Sequence, residues 1–470
     1  MLSEFLGKAI EDLLSKSLPE VALLITSRAI SSVDLVETYL NRIEEVNPSL
    51  NAVVTIGPDI LERARHCDSE LARGNIIGPL HGIPLTIKDT IATRGICTTS
   101  GSRLRAQDVP HRDAPVITRL KDAGAIILGK TNTPEMAIPY ETDNPVFGRT
   151  NNPHDLGRTS GGSSGGEAAA IAANLSIAGI GSDLAGSIRV PAHFCGIAGL
   201  KPTTGSVPME GHVPLATGTL SLGASIGPMA RRVADLALLF SVIADKPETR
   251  FLDEAVNELG SARIVWYTDD EVAPVTEEVA NAVRHAASIL SEAGLNIVEE
   301  RPPSISHGPR LWVALFSRVA NLQIQSFYRG REREAGPLVS ALFQTPHLET
   351  FEEKANAAET LANAVLERER LREELLRWMR QTPLIVVPVS ATPAFTHGAT
   401  RVNVKGESIS VFRSCSYSQT VNVFGLPAAV VPVARTADGL PIGVQVIGRP
   451  HHERGVLAAA AIIEDSAGFW

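Results

Sequence analysis

Cysteine is scarce in this sequence: Cys67, Cys97, Cys195 and Cys415 are the four in 470 residues, and no two form a C-x-x-C pair. That spacing excludes a disulfide framework and a cysteine zinc site, and leaves buried free thiols as the expectation. Aromatic residues make up only 5% of the chain, and no basic block interrupts a sequence of net charge -9. A nucleic-acid or anionic membrane surface would need such a block, so neither partner is expected. No apolar run is long enough to cross a bilayer. The opening stretch MLSEFLGKAIEDLL sets Glu4, Glu11 and Asp12 where a signal peptide needs unbroken apolar residues, and the cytoplasm is the expected location. What is present, 44% hydrophobic and 20% charged residues, is the composition of a globular protein with a large core.

Periodicity predicts how that core is organised. Ser31 and Asp34 have capping-box spacing, and Val36, Leu40 and Ile43 recur at i, i+4 and i+7, a helix that Asn47-Pro48 would stop. GIPLTIK reads as a strand with Leu85 and Ile87 on one face and Thr86 and Lys88 on the other, so Lys88 falls at a strand end. Helix-then-strand order recurs in VITRLKDAGAIILGK, with a stop at Gly124, and in EAAAIAANL followed by SIAGIGS. IVWY, TEEVANAVRHAASILSEAG and NIVEE form a strand-helix-strand unit. AAVVPV and IGVQVIG flank a hairpin turn at Asp438-Gly439, and residues 352–380 have the pattern of a long surface helix. With no repeat and no linker, the expectation is one large α/β domain: a mixed, mostly parallel twisted sheet flanked by helices.

Four glycines bracket two serines in RTSGGSSGGE, residues 158–167. A phosphate loop would need a lysine after the glycines, and residues 161–167 contain none. A dinucleotide loop needs a strand directly before them, where this chain has the polar NNPHDLGRTS. Both Ser163 and Ser164 satisfy G-x-S-x-G, but a nucleophile elbow must also be entered from a core strand, and His451 or His452 would complete a triad only by coincidence. Taken singly, such serines are ordinary turn residues and a strand-end lysine is a solvated charge. His193 beside Cys195 suggests a Cys-His nucleophile, although sequence adjacency does not supply the geometry and a core cysteine is the plainer reading.

A second glycine-lined serine, Ser187, lies in GSDLAGSIRVPAHFCG (181–196). With GKTNTPE (129–135), RTSGGSSGGEAAA (158–170), GLKPTTGSVP (199–208) and GLPIGVQVIG (439–448), this set resembles the amidase signature family. The resemblance runs from near residue 30 to the last helix, interrupted at about 250–380. It implies a single domain over residues 1–470: an N-terminal helical segment to residue 75, a catalytic core over 76–240, a variable pocket region over 241–380, and closing strands and helix over 381–470. It also implies a Ser-cisSer-Lys triad at Ser187, Ser163 and Lys88, with the cis peptide at Gly162-Ser163. Serine is a weak nucleophile without a base, and lysine is a base only when burial keeps it neutral. Ser163 would relay the proton of Ser187 to Lys88.

The same resemblance implies an oxyanion hole from the backbone N–H groups of Leu184, Ala185, Gly186 and Ser187, with Ala185 standing where the family pattern has glycine. Gly162 and Ser164 would support the loop, an Asp183–Arg189 ion pair would brace the turn, and Glu135, Met136 and Ala137 would approach the substrate. Trp312, Phe316, Phe343 and Phe351 are apolar candidates for the pocket. The implied activity is hydrolysis of a small-molecule carboxylic amide through an acyl-enzyme, with no metal and no cofactor, in a possible homodimer. Two alternatives stand beside it. One is the amidase subunit of a glutamyl-tRNA amidotransferase, which typically carries SLDQIGP where this chain has GASIGP (223–228), so that Ala224 replaces the acidic residue. The other is a scaffold that keeps the fold without the chemistry.

Overall fold

The computed structural model describes residues 11–138, 140–246, 256, 259–260, 262–343 and 351–469, with only the backbone at 351–355. Glu4 and the side chain of Phe351 lie outside the described residues. The strands are β1 (Val53–Ile56), β2 (Pro84–Lys88), β3 (Ile126–Thr131), β4 (Asn151–Asn152), β5 (Asp155–Thr159), β6 (Ala178–Asp183), β7 (Ala198–Lys201) and β8 (Ser225–Ala230). They continue with β9 (Arg263–Trp266), β10 (Asn296–Glu299), β11 (Leu384–Pro388), β12 (Arg401–Val404), β13 (Glu407–Ser410), β14 (Ala428–Arg435) and β15 (Pro441–Gly448). Eleven of them form one sheet in the order β1-β3-β2-β6-β8-β7-β14-β15-β11-β9-β10; β4-β5 and β12-β13 are separate hairpins.

The sheet is mixed, as expected, but its balance is not the expected one. Six of its ten pairings are antiparallel and four parallel. Helix-strand alternation accounts for the parallel pairs, β2 with β3 and β6, and β9 with β10 and β11. Of the antiparallel pairs, β14–β15 is a tight hairpin around Asp438-Gly439, whereas β1–β3, β6–β8, β7–β14 and β11–β15 join strands that are not consecutive in the chain.

The first predicted helix forms with its capping box at Ser31 and Asp34 but does not stop at Pro48; it runs Ser32–Leu50 and ends at Asn51, whose φ is 53°. The Asn47 amide turns back instead to bond Ala52 and Val53, closing the helix end from within. The helix Phe351–Trp378 follows the predicted stripe, with Leu371 and Leu375 and the following Met379 buried.

The polar NNPHDLGRTS is not a loop: it folds as the β4–β5 hairpin, outside the main sheet. The glycine-serine stretch therefore leaves a small hairpin and enters the helix Gly165–Ala172, which is buried from Gly165 to Ile171. A Cβ on Gly166 would lie 2.4 Å from the Asn132 backbone N and O, so glycine lets this helix press against the end of β3.

Candidate active site

Two adjacent strand ends build the site. β2 and β6 run parallel, with Thr86 opposite Gly179 and Ile87 opposite Ile180, so their carboxyl ends emerge side by side, the usual place for a site in an α/β sheet. Lys88 ends β2, and Ser182 and Asp183 end β6. Lys88 is fully buried, and its Nζ lies within hydrogen-bond distance of Ser163 Oγ, at 2.6 Å, and of Ser182 Oγ, at 3.0 Å. Burial drives its pKa down to about 7, against the pull of Asp183 and Glu167 in the opposite direction.

Ser163 is 1% exposed and follows a cis peptide at Gly162-Ser163. Its loop is tied down on both sides. Thr133 Oγ1 donates to the Ser163 carbonyl at 2.9 Å and Thr142 Oγ1 to that of Gly161 at 2.9 Å. Ser164 N–H donates to the Ser187 carbonyl at 3.1 Å, joining the two serine loops, and Ser164 Oγ lies against the Ser182 backbone. Ser187 is half-buried and shares a pocket of about 80 Å³ with Ser163, Ser182, Leu184 and His212.

Asp183 and Arg189 brace the second loop. Arg189 donates from Nε and Nη2 to the two Asp183 oxygens, each at 3.0 Å, with both side chains fully buried. Burial works to raise the Asp183 pKa, but Arg189 and the Asn422 amide outweigh it and hold the carboxyl well below the usual carboxylate range. Arg189 also reaches Gln445, Ser418 and Asn422, coupling the loop to β15 and to the helix Ser416–Val423.

The Asp183 carboxylate changes the expected oxyanion hole. Gly186 N–H donates to Asp183 Oδ1 at 2.8 Å, so it is already engaged, and Leu184, Ala185 and Ser187 are the candidates that remain. Ala185 fits without a glycine's freedom: the left-handed backbone falls on Gly186, at φ 105°, and Ala185 is not among the positive-φ residues. The Leu184 carbonyl accepts from Trp312 Nε1 and the Ala185 carbonyl from Tyr140, each at 2.8 Å, which orients both peptides.

Met136 and Ala137 line the pocket, in backbone conformations with φ of 54° and 60°. Glu135 does not. Its carboxylate accepts from Tyr328 at 2.6 Å and from Gly336 N–H at 2.8 Å, tying the loop to the helix Arg318–Tyr328. Trp312, Phe316 and Phe343 pack behind the wall; the apolar lining comes from Ile138, Met209, Leu215, Leu220 and Ile324 among others. Neither His451, which is exposed, nor His452, which is half-buried, lines the pocket. Cys67, Cys195 and Cys415 are buried and Cys97 half-buried. His193 spends both ring nitrogens on Gly443 and Thr392, which removes the Cys-His alternative.

Sequence patterns missed Ser182, His212, Asn422 and Gln445. Ser182 and Gln445 stand inside quoted motifs, but their partners are set by strand register, and His212 is a lone histidine in a proline-rich loop.

A buried lysine bonded to one loop serine, with a second loop serine on the same pocket, sits on a mixed eleven-stranded sheet. The chain belongs to the amidase family, whose sequence profile matches residues 34–457. It is 33% identical to a glutamyl-tRNA(Gln) amidotransferase subunit from Carboxydothermus hydrogenoformans, over 96% of this chain and 97% of that protein. It is 31% identical to human fatty-acid amide hydrolase 2, over 98% of this chain and 90% of that protein. Among solved structures, 6-aminohexanoate cyclic dimer hydrolase superposes with a TM-score of 0.80 at 29% identity, covering 98% of each chain.

Proposed function

We propose that this chain hydrolyses the C–N bond of a small neutral amide through an acyl-enzyme on Ser187. The observation that carries the reading is the 2.6 Å contact between a fully buried Lys88 and Ser163, beside a pocket that Ser187 lines. Neutral Lys88 takes the Ser163 proton as Ser163 takes that of Ser187, and Ser187 Oγ attacks the amide carbonyl carbon. Negative charge moves to the carbonyl oxygen, where the N–H groups of Leu184, Ala185 and Ser187 stabilise it. The reverse relay protonates the departing nitrogen as the C–N bond breaks, and a water activated through the same serines then releases the acid.

The lining favours an apolar substrate over glutamine. Asp183 is the one carboxylate or basic side chain apart from His212 among the described lining residues, and Arg189 already holds it. Free glutamine carries an ammonium and a carboxylate, both costly to desolvate unpaired, and Ala224 offers neither a partner. The identity to the amidotransferase protein keeps that activity as the second reading.

The purified chain, given a panel of apolar anilides, primary amides and glutamine, is expected to cleave the apolar amides. A fluorophosphonate is expected to add a single label per chain, absent in Ser187→Ala. Failure to label a folded chain would reject the acyl-enzyme; ammonia release from glutamine that requires partner proteins would favour the second reading.

A further inference from the structure

A line of buried polar side chains leads away from Lys88 through Ser182. Lys88 Nζ donates to Ser182 Oγ at 3.0 Å, Ser182 Oγ lies 2.9 Å from His212 Nε2, and His212 Nδ1 lies 2.8 Å from the Pro214 carbonyl oxygen. All three side chains are buried, with His212 6% exposed.

The far end of this line fixes every hydrogen in it. A carbonyl oxygen can only accept, so His212 Nδ1 carries the hydrogen. A neutral ring then presents a lone pair at Nε2, and the Ser182 hydroxyl must donate to it. The Ser182 oxygen is left with acceptor capacity alone toward Lys88. The opposite tautomer would set the Nδ1 lone pair against those of the Pro214 carbonyl. A doubly protonated ring is opposed by burial first and by Lys88 second, which together push the His212 pKa down to about 4.

We propose that His212 is a positioning residue for Lys88: by holding the Ser182 hydrogen it makes Ser182 an acceptor for the lysine amine and leaves the amine's lone pair to Ser163. The inference rests on Lys88 serving as the base. Without His212, the Ser182 hydroxyl can rotate and donate to the same lone pair that Ser163 needs. The ionisable groups bearing on Lys88 are Asp183 at the end of β6, held by Arg189, and Glu167 in the helix Gly165–Ala172, held by Thr86 and Thr131. The charge bearing on His212 is Lys88 itself.

The rate of fluorophosphonate labelling of Ser187, followed from about pH 5 to about pH 10, reads the state of the base. His212→Phe is expected to slow labelling about tenfold and to move the acid limb to lower pH, because a hydroxyl donating to the lone pair favours the neutral amine. His212→Gln, which keeps an acceptor within reach of Ser182, is expected to restore most of the rate and the wild-type limb. Ser182→Ala also moves the limb down, and on that background His212→Phe adds nothing. An unmoved limb in His212→Phe, or an equal loss with and without Ser182, would overturn the inference. Should His212→Phe not fold, Ser182→Ala and His212→Gln decide: the first must move the limb and the second must not. Lys88→Ala separates this inference from the relay. Wild-type labelling in that variant rejects the relay itself, whereas loss of labelling there beside a normal His212→Phe rejects only the positioning role.

Discussion

Lys88 stands between two opposed electrostatic effects. Complete burial disfavours its ammonium form, while the carboxylates of Asp183 and Glu167 favour it, and burial wins by enough to bring the pKa from 10.5 to about 7. In the proposed relay the active form is the neutral amine, which fixes the sign: kcat/KM is expected to rise with pH through about 7 and level off above it. Measuring kcat/KM for a cleaved amide across this range checks the point, and a profile that falls as pH rises would reject the role. Lys88→Ala, which removes the proton acceptor but leaves Ser187, is expected to lower kcat by about 10²- to 10⁴-fold. The motifs that carry the family resemblance brought Lys88, Ser163 and Ser187 together as candidates. They could not reveal that Gly186 spends its N–H on Asp183 or that Glu135 braces a helix, because both depend on where a carboxylate points after folding.

Among the elements, the parallel pair β2 and β6 places Lys88 beside Ser182, and the Asp183–Arg189 brace fixes the loop that follows β6. Removing one partner of this fully buried pair leaves the other charge unpaired, and Asp183→Ala is expected to cost about 3–5 kcal/mol of stability. Gly166→Ala is expected to lower the melting temperature as well, since its methyl group would meet backbone that cannot yield. Thermal unfolding of both variants checks this; wild-type stability in either would contradict the packing described. Periodicity was a sound guide to most helices and strands, including the helix Glu277–Glu292 and the β14–β15 hairpin. It overstated the parallel content because strand direction depends on connections that lack a periodic signature, and it missed the β4–β5 hairpin because that pair is too short and polar to show alternation.

For the molecule as a whole, the sheet holds the proposed proton path entirely within one chain: nucleophile, relay and base come from β2, β6 and the loops beside them. Activity on an apolar amide is therefore expected from the chain without a partner, and prolonged EDTA treatment is expected to leave its rate unchanged. Loss of activity on chelation would contradict the proposed chemistry. The helix Arg318–Tyr328 and the turn Gly218–Leu222 supply Ile324 and Leu220 to the pocket lining. That helix falls in the part of the chain where the resemblance is interrupted, yet of the aromatics named there Phe316 is buried in the core and Trp312 and Phe343 are half-buried, and none of the three lines the pocket.

The most direct measurement is an NMR titration of the Lys88 side-chain nitrogen in lysine-labelled protein, assigned by comparison with Lys88→Ala. A midpoint near pH 7 is the predicted result. A signal that stays that of an ammonium group up to about pH 10 would contradict the claim that a neutral buried amine drives the reaction.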